Sequence, residues 1–390
     1  MPPFDPAAAT AAYMATLSPA AHAKATAYTQ GGHWLLLWSW LVSVVAAWLI
    51  IRSGVLVRTE AGLQRAKPRP VLVSIVLTAL FVIIDAILEL PWEIYARWWR
   101  ETSYGLTSQA FTGWFTEQTI SLGISVVMTC VFMAVLYAVI RKSARWWWAW
   151  AGGVVGVFIL IVMVLGPIYI EPIFNHYTPA PPGPVRGAIV ALAKKAEVPS
   201  DKIFIFDGSR QSNRYTANVS GLFGSARVAM SDVMFKKGAD LAEVRGVVGH
   251  EMGHYRQGPL ILAGPFALLA IVAFGLTQLL FPIAARLLGA KVAGIADPAG
   301  LPVLMAVIAT LGLVGTPLTT GVSRWVEADA DSFSLRTANE PDGLAKALVQ
   351  TIEYRASSPS DLEEFLFYDH PSVEHRVRKA MDWKRAHPPG

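Results

Sequence analysis

Six long apolar stretches alternate with polar segments along the chain. Each is about 20 residues or longer, which is enough for a helix to cross the hydrocarbon layer of a membrane. Four lie in the first half of the chain and two in the second: 34–57, 70–90, 119–140, 147–170, 260–288 and 302–322. The pattern therefore predicts a membrane protein with six spanning helices.

The segments outside these stretches are more polar. Residues 171–258 carry proline, glycine and mixed charge, with helical spacing at 184–198 and 239–257 and short strands near 202–206, 215–222 and 227–230. The expected organisation is an N-terminal amphipathic or irregular arm lying against the membrane (1–32), four spanning helices (33–170), an aqueous domain (171–258), two spanning helices (259–322) and a C-terminal helical part (323–390).

Composition agrees with a membrane protein. Hydrophobic residues make up 54% of the chain, charged residues 16%, and the mean hydropathy is +0.43. These values exclude a disordered chain or a collagen-like fibre, and the single Cys130 excludes a disulfide scaffold. The net charge of +5 indicates contact with the anionic lipids of a bilayer rather than with nucleic acid.

The strongest chemical signal is the HExxH motif formed by His250, Glu251 and His254. Two histidines four residues apart lie on one face of a helix, so both imidazoles can bind one Zn²⁺. The glutamate between them can act as general base toward a zinc-bound water. The alternative is a helix with two surface histidines, but such a group at an aqueous–membrane boundary has no evident packing role.

A catalytic zinc needs a third protein ligand, and the candidates follow the last apolar stretch. Glu327, Asp329 and Asp331 all lie there, and two spans return them to the side of His254. Glu327 and Asp331 are four residues apart and share a helix face. Glu327 is the favoured ligand, with Asp331 holding a ligand histidine, although spacing alone does not rank the three acids.

Several motifs together resemble the CAAX prenyl protease 1 (Ste24-type) family of membrane zinc proteases, peptidase family M48. The similarity extends from about residue 34 to 385. The matching positions are the HExxH motif, Ser323, Arg324, Glu327 and Asp331, then His370, Pro371 and Arg376, and in the loop after the second span Pro91, Trp92, Tyr95, Glu101, Tyr104 and Gly105.

This resemblance implies a mainly α-helical membrane protein, with a ring of about six transmembrane helices around a chamber and a zincin-like α+β metalloprotease domain. It also implies one Zn²⁺ per chain, bound by His250, His254 and Glu327. His370 and Arg376 are expected beside the metal. A histidine there can stabilise an oxyanion, and an arginine can hold a backbone carbonyl or a carboxylate.

The resemblance further implies that the substrate binds as an added strand on an edge of the small sheet. The expected edge consists of Thr216, Ala217, Asn218, Val219, Ser220 and Gly221. The alternative is an ordinary strand with no substrate role. The eukaryotic enzymes have Asn-Ala-Tyr where this chain has Thr216-Ala217-Asn218. Backbone pairing with a substrate does not depend on these side chains, whereas the preference for particular substrates does.

The predicted function is a zinc metalloendopeptidase that cuts membrane-associated or lipid-modified peptides of the CAAX type. The alternative is a quality-control protease for membrane proteins with no prenyl requirement. A non-enzymatic carrier is disfavoured because the zinc-binding motif is intact. The expected location is a bacterial inner membrane. The cytoplasmic side is favoured for the active site by the resemblance, although the arginine-rich loops after the first and third spans argue for the opposite orientation.

Overall fold

The computed structural model describes residues 3–65, 68–221, 226–235, 238, 240–351 and 355–388.

The N-terminal arm is helical rather than irregular, with α1 at Pro6–Met14 and α2 at Pro19–Ser53. Ser18 caps α2 by accepting a hydrogen bond from the Ala21 N–H, and Pro19 occupies the first helical turn. Residues 19–32 are therefore the first turns of the first spanning helix, which differs from the separate arm expected for 1–32.

Three further spanning helices follow the first. A short helix α3 (Val55–Gln64) precedes α4 (Pro70–Ser103), α5 (Phe111–Lys142) and α6 (Trp147–Phe174). Wider π-type turns interrupt α4 at Ile94–Trp99 and α6 at Gly166–Ile170. The first turn follows Pro91, and the second contains Pro167. Proline has no backbone N–H, so each removes one hydrogen bond of the regular helix.

The small domain contains a four-stranded sheet. Its elements are β1 (Tyr177–Pro179), α7 (Pro184–Ala196), β2 (Ile203–Phe206), β3 (Ala217–Ser220) and β4 (Arg227–Ser231). The strand order is β1-β2-β4-β3, with β2 and β4 parallel and the other pairs antiparallel. Strand β3 is therefore an edge strand, and the buried β4 packs with α7 and the next long helix in one core.

The remaining chain is helical, with bends at two glycines. Helix α8 (Leu241–Leu288) joins the predicted aqueous and membrane segments across a kink at Gly258, whose φ of 76° is non-helical. Helices α9 (Leu301–Val314) and α10 (Thr316–Ala338) meet at Gly315 with a bend of 60°. Helices α11 (Pro341–Gln350), α12 (Asp361–Phe367) and α13 (Val373–Ala386) complete the chain, and short 3₁₀ turns lie at Gly208–Arg210, Asp232–Phe235 and Pro298–Gly300.

The membrane helices form a closed ring. Contacts run from α2 to α4, α5, α6, α8 and α9 in this order, and α9 returns to α2. Among the described residues, five helices are long and apolar enough to span a membrane, and the bent pair α9–α10 makes a sixth possible span. The predicted ring of about six helices with a small α+β domain is therefore confirmed.

One end of the ring is filled with apolar side chains. At this end α2, α5 and α8 finish, and α4, α6 and α9 begin. We call this group the apolar plug, and it includes Ile50, Leu56, Leu77, Tyr137, Ile140, Trp147, Phe281 and Leu301. The small domain and the HExxH motif lie at the opposite end.

Candidate active site

The HExxH motif lies in the first, extramembrane part of α8. Asp240 caps this helix by accepting hydrogen bonds from the N–H groups of Ala242 and Glu243. The imidazoles of His250 and His254 face the same side, with ring centroids 4.8 Å apart. The helical spacing predicted from the sequence thus places both rings toward a common point.

Glycines allow α8 and α10 to approach closely. A Cβ added at Gly253 would lie 2.9 Å from the Ala330 Cα, and one added at Gly249 would lie 2.9 Å from the Ser334 Oγ. Gly246, on the same face, accepts a hydrogen bond of 2.7 Å from the Ser334 hydroxyl. Side chains larger than hydrogen would separate the two helices, so this glycine face determines how near α10 comes to the histidines.

The approach brings Glu327 of α10 to both histidines. Its Oε2 lies 3.1 Å from the His250 Nε2, and its Oε1 lies 3.5 Å from the His254 Nε2. One ligand atom from each of the three residues falls within 4.8 Å of the others. Oε2 is buried yet accepts no hydrogen bond. Two imidazole nitrogens and a carboxylate oxygen around one point are the donor set of a catalytic zinc, so these residues fit the metal.

Both ligand histidines are held from behind. The His250 Nδ1 contacts the Asp331 Oδ1 at 2.9 Å, and the His254 Nδ1 contacts the Gln257 Oε1 at 3.2 Å. Such contacts fix the ring orientation of a metal-binding histidine. Gln257 was not anticipated from the sequence, although its position three residues after His254 places it on the same side of the helix.

Arg376 contacts Asp331 behind the histidines and also lines the small cavity beside them. Its guanidinium donates two hydrogen bonds to the Asp331 carboxylate, at 2.8 Å and 2.7 Å, and the side chain is only 6% exposed. The sequence suggested that Arg376 holds a backbone carbonyl or a carboxylate. In the structure, Arg376 holds the carboxylate of Asp331.

His370 and Glu251 share a small cavity beside the cluster. The cavity has a volume of about 170 Å³, and its lining includes both residues together with Tyr215, Thr216 and Ala217. The His370 Nε2 lies 3.1 Å from the Glu327 Oε2, and Asp369 contacts its Nδ1 at 2.8 Å. Asp369 is a second residue that sequence reasoning missed.

The surroundings raise the pKa values of Glu251 and His250. Burial raises the pKa of the Glu251 carboxyl above its usual range, which makes its carboxylate a stronger base. Burial opposes protonation of His250, but the Asp331 and Glu327 carboxylates beside its ring outweigh this effect and raise its pKa to about 9. A metal binds only the unprotonated imidazole nitrogen, so metal binding competes with this proton.

The predicted substrate edge is the free edge of β3. Asn218 and Ser220 lie opposite Ala229 and Arg227 of β4, and the Thr216 C=O accepts a hydrogen bond of 2.9 Å from the Ser231 N–H. Every second residue therefore turns its backbone toward β4. The N–H and C=O groups of Ala217 and Val219 point to the open edge, and Gly221, with a φ of 89°, follows the strand.

Comparisons with known proteins agree with this geometry. The CAAX prenyl protease N-terminal domain, with five membrane helices, matches residues 7–176, and peptidase family M48 matches residues 180–384. The chain belongs to peptidase family M48. The predicted family is thus confirmed, and this M48 peptidase is an integral membrane metalloprotease.

Individual relatives of this M48 peptidase are distant. A Bacillus subtilis (strain 168) protein named "Uncharacterized metalloprotease YhfN" is 25% identical over 338 residues, covering 85% of this chain and 79% of that protein. The human CAAX prenyl protease 1 homolog is 23% identical over 364 residues, covering 80% and 74%. The crystal structure of S. mikatae Ste24p shares the fold, with a TM-score of 0.75 at 21% identity over 94% of this chain and 90% of that one.

Proposed function

We propose that this M48 peptidase is a zinc-dependent endopeptidase that hydrolyses membrane-associated or lipid-modified peptides of the CAAX type. The observation that carries the proposal is the convergence of His250, His254 and Glu327 around one point, with Glu251 lining the adjoining cavity. The printed names of its relatives, several of which are CAAX prenyl proteases, support the substrate class.

The residues divide the chemistry between them. A bound Zn²⁺ would polarise the scissile carbonyl and make water a better nucleophile. Glu251 accepts the proton of the attacking water and returns it to the leaving amine. The His370 Nε2 donates a hydrogen bond to the carbonyl oxygen as it gains negative charge. Asp331 and Arg376 act as positioning residues, since Asp331 holds the His250 ring and Arg376 holds Asp331.

The Glu251→Gln variant tests this proposal. The substitution keeps the size of the side chain and removes the base, so we expect about one zinc per chain in both proteins and loss of cleavage in the variant. Glu243→Gln is the matched control on the same helix, because the Glu243 carboxylate accepts a hydrogen bond from Gln350 instead of lining the cavity. Absence of zinc from the wild-type protein would refute the ligand assignment.

Twin peptides decide the substrate class. A farnesylated CAAX peptide and its unprenylated copy are followed by mass spectrometry in detergent with the wild-type enzyme. Faster cleavage of the farnesylated peptide supports lipid recognition. Cleavage of neither peptide by a zinc-loaded enzyme favours the quality-control function, and unfolded membrane proteins then become the test substrates.

We also propose a bacterial inner membrane as the location, with the active-site end on the cytoplasmic side. The single native Cys130 is buried, so a labelling map can use introduced cysteines with little background. A cysteine near residue 388 should resist an impermeant thiol reagent in intact cells. Labelling from outside would reverse the orientation and agree with the distribution of arginines in the loops.

A further inference from the structure

Arg324 connects the helix that carries Glu327 to the segment that carries His370. It lies on α10, three residues before Glu327, so both side chains leave neighbouring positions on one face of the helix. The Arg324 side chain is partly buried. It neither belongs to the metal cluster nor lines the small cavity beside that cluster. Any effect of Arg324 on the reaction must therefore pass through another residue.

The Arg324 guanidinium binds the C-terminal end of α12. Its Nη1 donates hydrogen bonds to the backbone carbonyls of Glu364, at 2.8 Å, and Tyr368, at 2.5 Å. Its Nη2 donates to the Phe365 carbonyl at 3.1 Å. Carbonyls at the end of a helix lack partners within it, and the helix dipole favours a cation beside them. One planar guanidinium thus satisfies three of these carbonyls together.

His370 follows this end of α12 directly. Tyr368 is buried, its backbone is extended (φ −87°, ψ 124°), and only Asp369 separates it from His370. Two residues of extended chain span roughly 7 Å, so the position of the Tyr368 carbonyl restricts where the imidazole can lie. The His370 Nε2 lies 3.1 Å from the Glu327 Oε2. Helix α10 therefore contacts this segment both at the imidazole and two residues before it.

Apolar packing alone does not hold α12 in place. None of its seven residues is buried, and Leu362 and Phe365 are 67% and 57% exposed. On the side of α2, the His33 ring stacks on Phe367 with ring centroids 4.2 Å apart. Segments with few buried contacts open most easily, so the hydrogen bonds from Arg324 contribute a large share of the local stability.

We propose that Arg324 is a positioning residue for His370. It holds the end of α12 so that the imidazole lies beside Glu327 and lines the small cavity with Glu251. The kinetic consequence rests on the proposed peptidase function, whereas the anchoring itself does not. Lysine has a compact ammonium on a flexible stem and does not reproduce the planar fork that spans these carbonyls. Both a metal ligand and the oxyanion donor are then positioned by the same helix.

Kinetics in two backgrounds test the proposal, with the CAAX peptide that the wild-type enzyme cleaves. Arg324→Gln should lower kcat about 10- to 100-fold, somewhat less than loss of an oxyanion donor, with zinc content unchanged. In a His370→Ala background the same substitution should change kcat less than about twofold, because the group that it positions is already absent. Arg336→Gln, which removes an exposed arginine from the same helix, is the matched control.

Hydrogen–deuterium exchange measures the anchoring without any substrate. Amides in the segment 366–372 should exchange about tenfold faster in Arg324→Gln than in the wild type, and as in the wild type in Arg336→Gln. Arg324→Lys retains the positive charge and should also show faster exchange and a lower kcat. It provides the readout if Arg324→Gln does not fold, and thermal midpoints verify folding of each variant.

The outcomes separate this inference from the peptidase function. If the wild-type enzyme cuts no peptide but exchange rises in the Arg324 variants, the peptidase proposal fails and the anchoring stands. Unchanged exchange, or an unchanged kcat in an active enzyme, refutes the inference and leaves the peptidase function intact. An equal loss of kcat with and without His370, or loss of zinc from both Arg324 variants, also refutes it, because Arg324 then supports α10 as a whole.

Discussion

The two walls of the active site are built in opposite ways. On the metal side, α8 and α10 touch through glycines, and Asp331, Ser334 and Arg376 are almost completely buried. On the substrate side, β3 has only four residues, and three of them are partly exposed. The metal side is therefore rigid before any substrate binds, and the substrate side is not. The candidate metal ligands are fixed by packing, whereas the proposed substrate wall would be completed only when another strand adds to it.

Of the variants considered, removal of Glu327 should have the largest effect on the metal side of the site. Glu327→Ala leaves two histidines, so we expect zinc content to fall from one per chain to near zero. Cleavage should fall more than about 1000-fold, or roughly 4 kcal/mol of transition-state stabilisation. Metal analysis after dialysis and a peptide assay measure both effects. Glu374→Ala, which removes an exposed carboxylate from α13, is the control. Retention of tightly bound zinc in the Glu327 variant would show that another residue ligates.

Loss of the contact behind His250 should weaken the metal wall without abolishing it. Asp331→Asn keeps the shape but removes the charge that Arg376 and the imidazole share. We expect zinc affinity to fall about 10- to 100-fold, as is usual for such contacts. Competition with a chromophoric chelator measures the affinity. An unchanged affinity, together with a lower melting temperature, would assign Asp331 to folding alone.

A methyl group between the two helices tests whether packing fixes the ligands. Gly253→Ala places a Cβ 2.9 Å from the Ala330 Cα, which requires the backbones to separate and should cost about 1–3 kcal/mol of stability. Thermal unfolding and zinc affinity should both decline. At Gly264 an added Cβ meets nothing within 4 Å, so Gly264→Ala is the matched control. Equal behaviour of the two variants would contradict the close-packing argument.

A proline in β3 should have the smallest effect of these variants, and it should change KM rather than zinc content. Val219→Pro removes an N–H that faces the open edge and leaves the alternate residues paired with β4. One lost backbone hydrogen bond predicts a KM about five- to tenfold higher, with zinc content unchanged. Val219→Ala keeps the N–H and should behave as the wild type. A normal KM in the proline variant would mean that substrate does not pair there.

Sequence patterns predicted the membrane part well because length and apolar character are local properties. The bends were missed for the same reason. Gly258 is non-helical and separates the two helical segments that the sequence predicts, but only the structure shows that the second helix follows the first directly across a kink. The three-residue β1 was also missed, since its pairing with β2 rather than its own composition makes it a strand.

The candidate site, too, could be predicted from the sequence only where the residues are close together along the chain. The HExxH spacing is sufficient to bring two histidines together, but spacing could not rank Glu327 against Asp329. In the structure, Glu327 lies beside both histidines, whereas the Asp329 carboxylate accepts a hydrogen bond from Gln257. The partner of Arg376 could not be predicted either, because a contact between residues 45 positions apart depends on how α13 packs against α10.

The apolar plug has an electrical consequence. Asp85 and Glu89 line a cavity between α4 and α5, and a continuous water path through the ring would let ions leak down the membrane potential. Ile50, Leu77, Ile140, Trp147 and Leu301 are each at most 1% exposed at the far end. Moving an ion through such a dense hydrocarbon layer carries a large solvation cost. The plug therefore acts as an electrical insulator at this end of the ring.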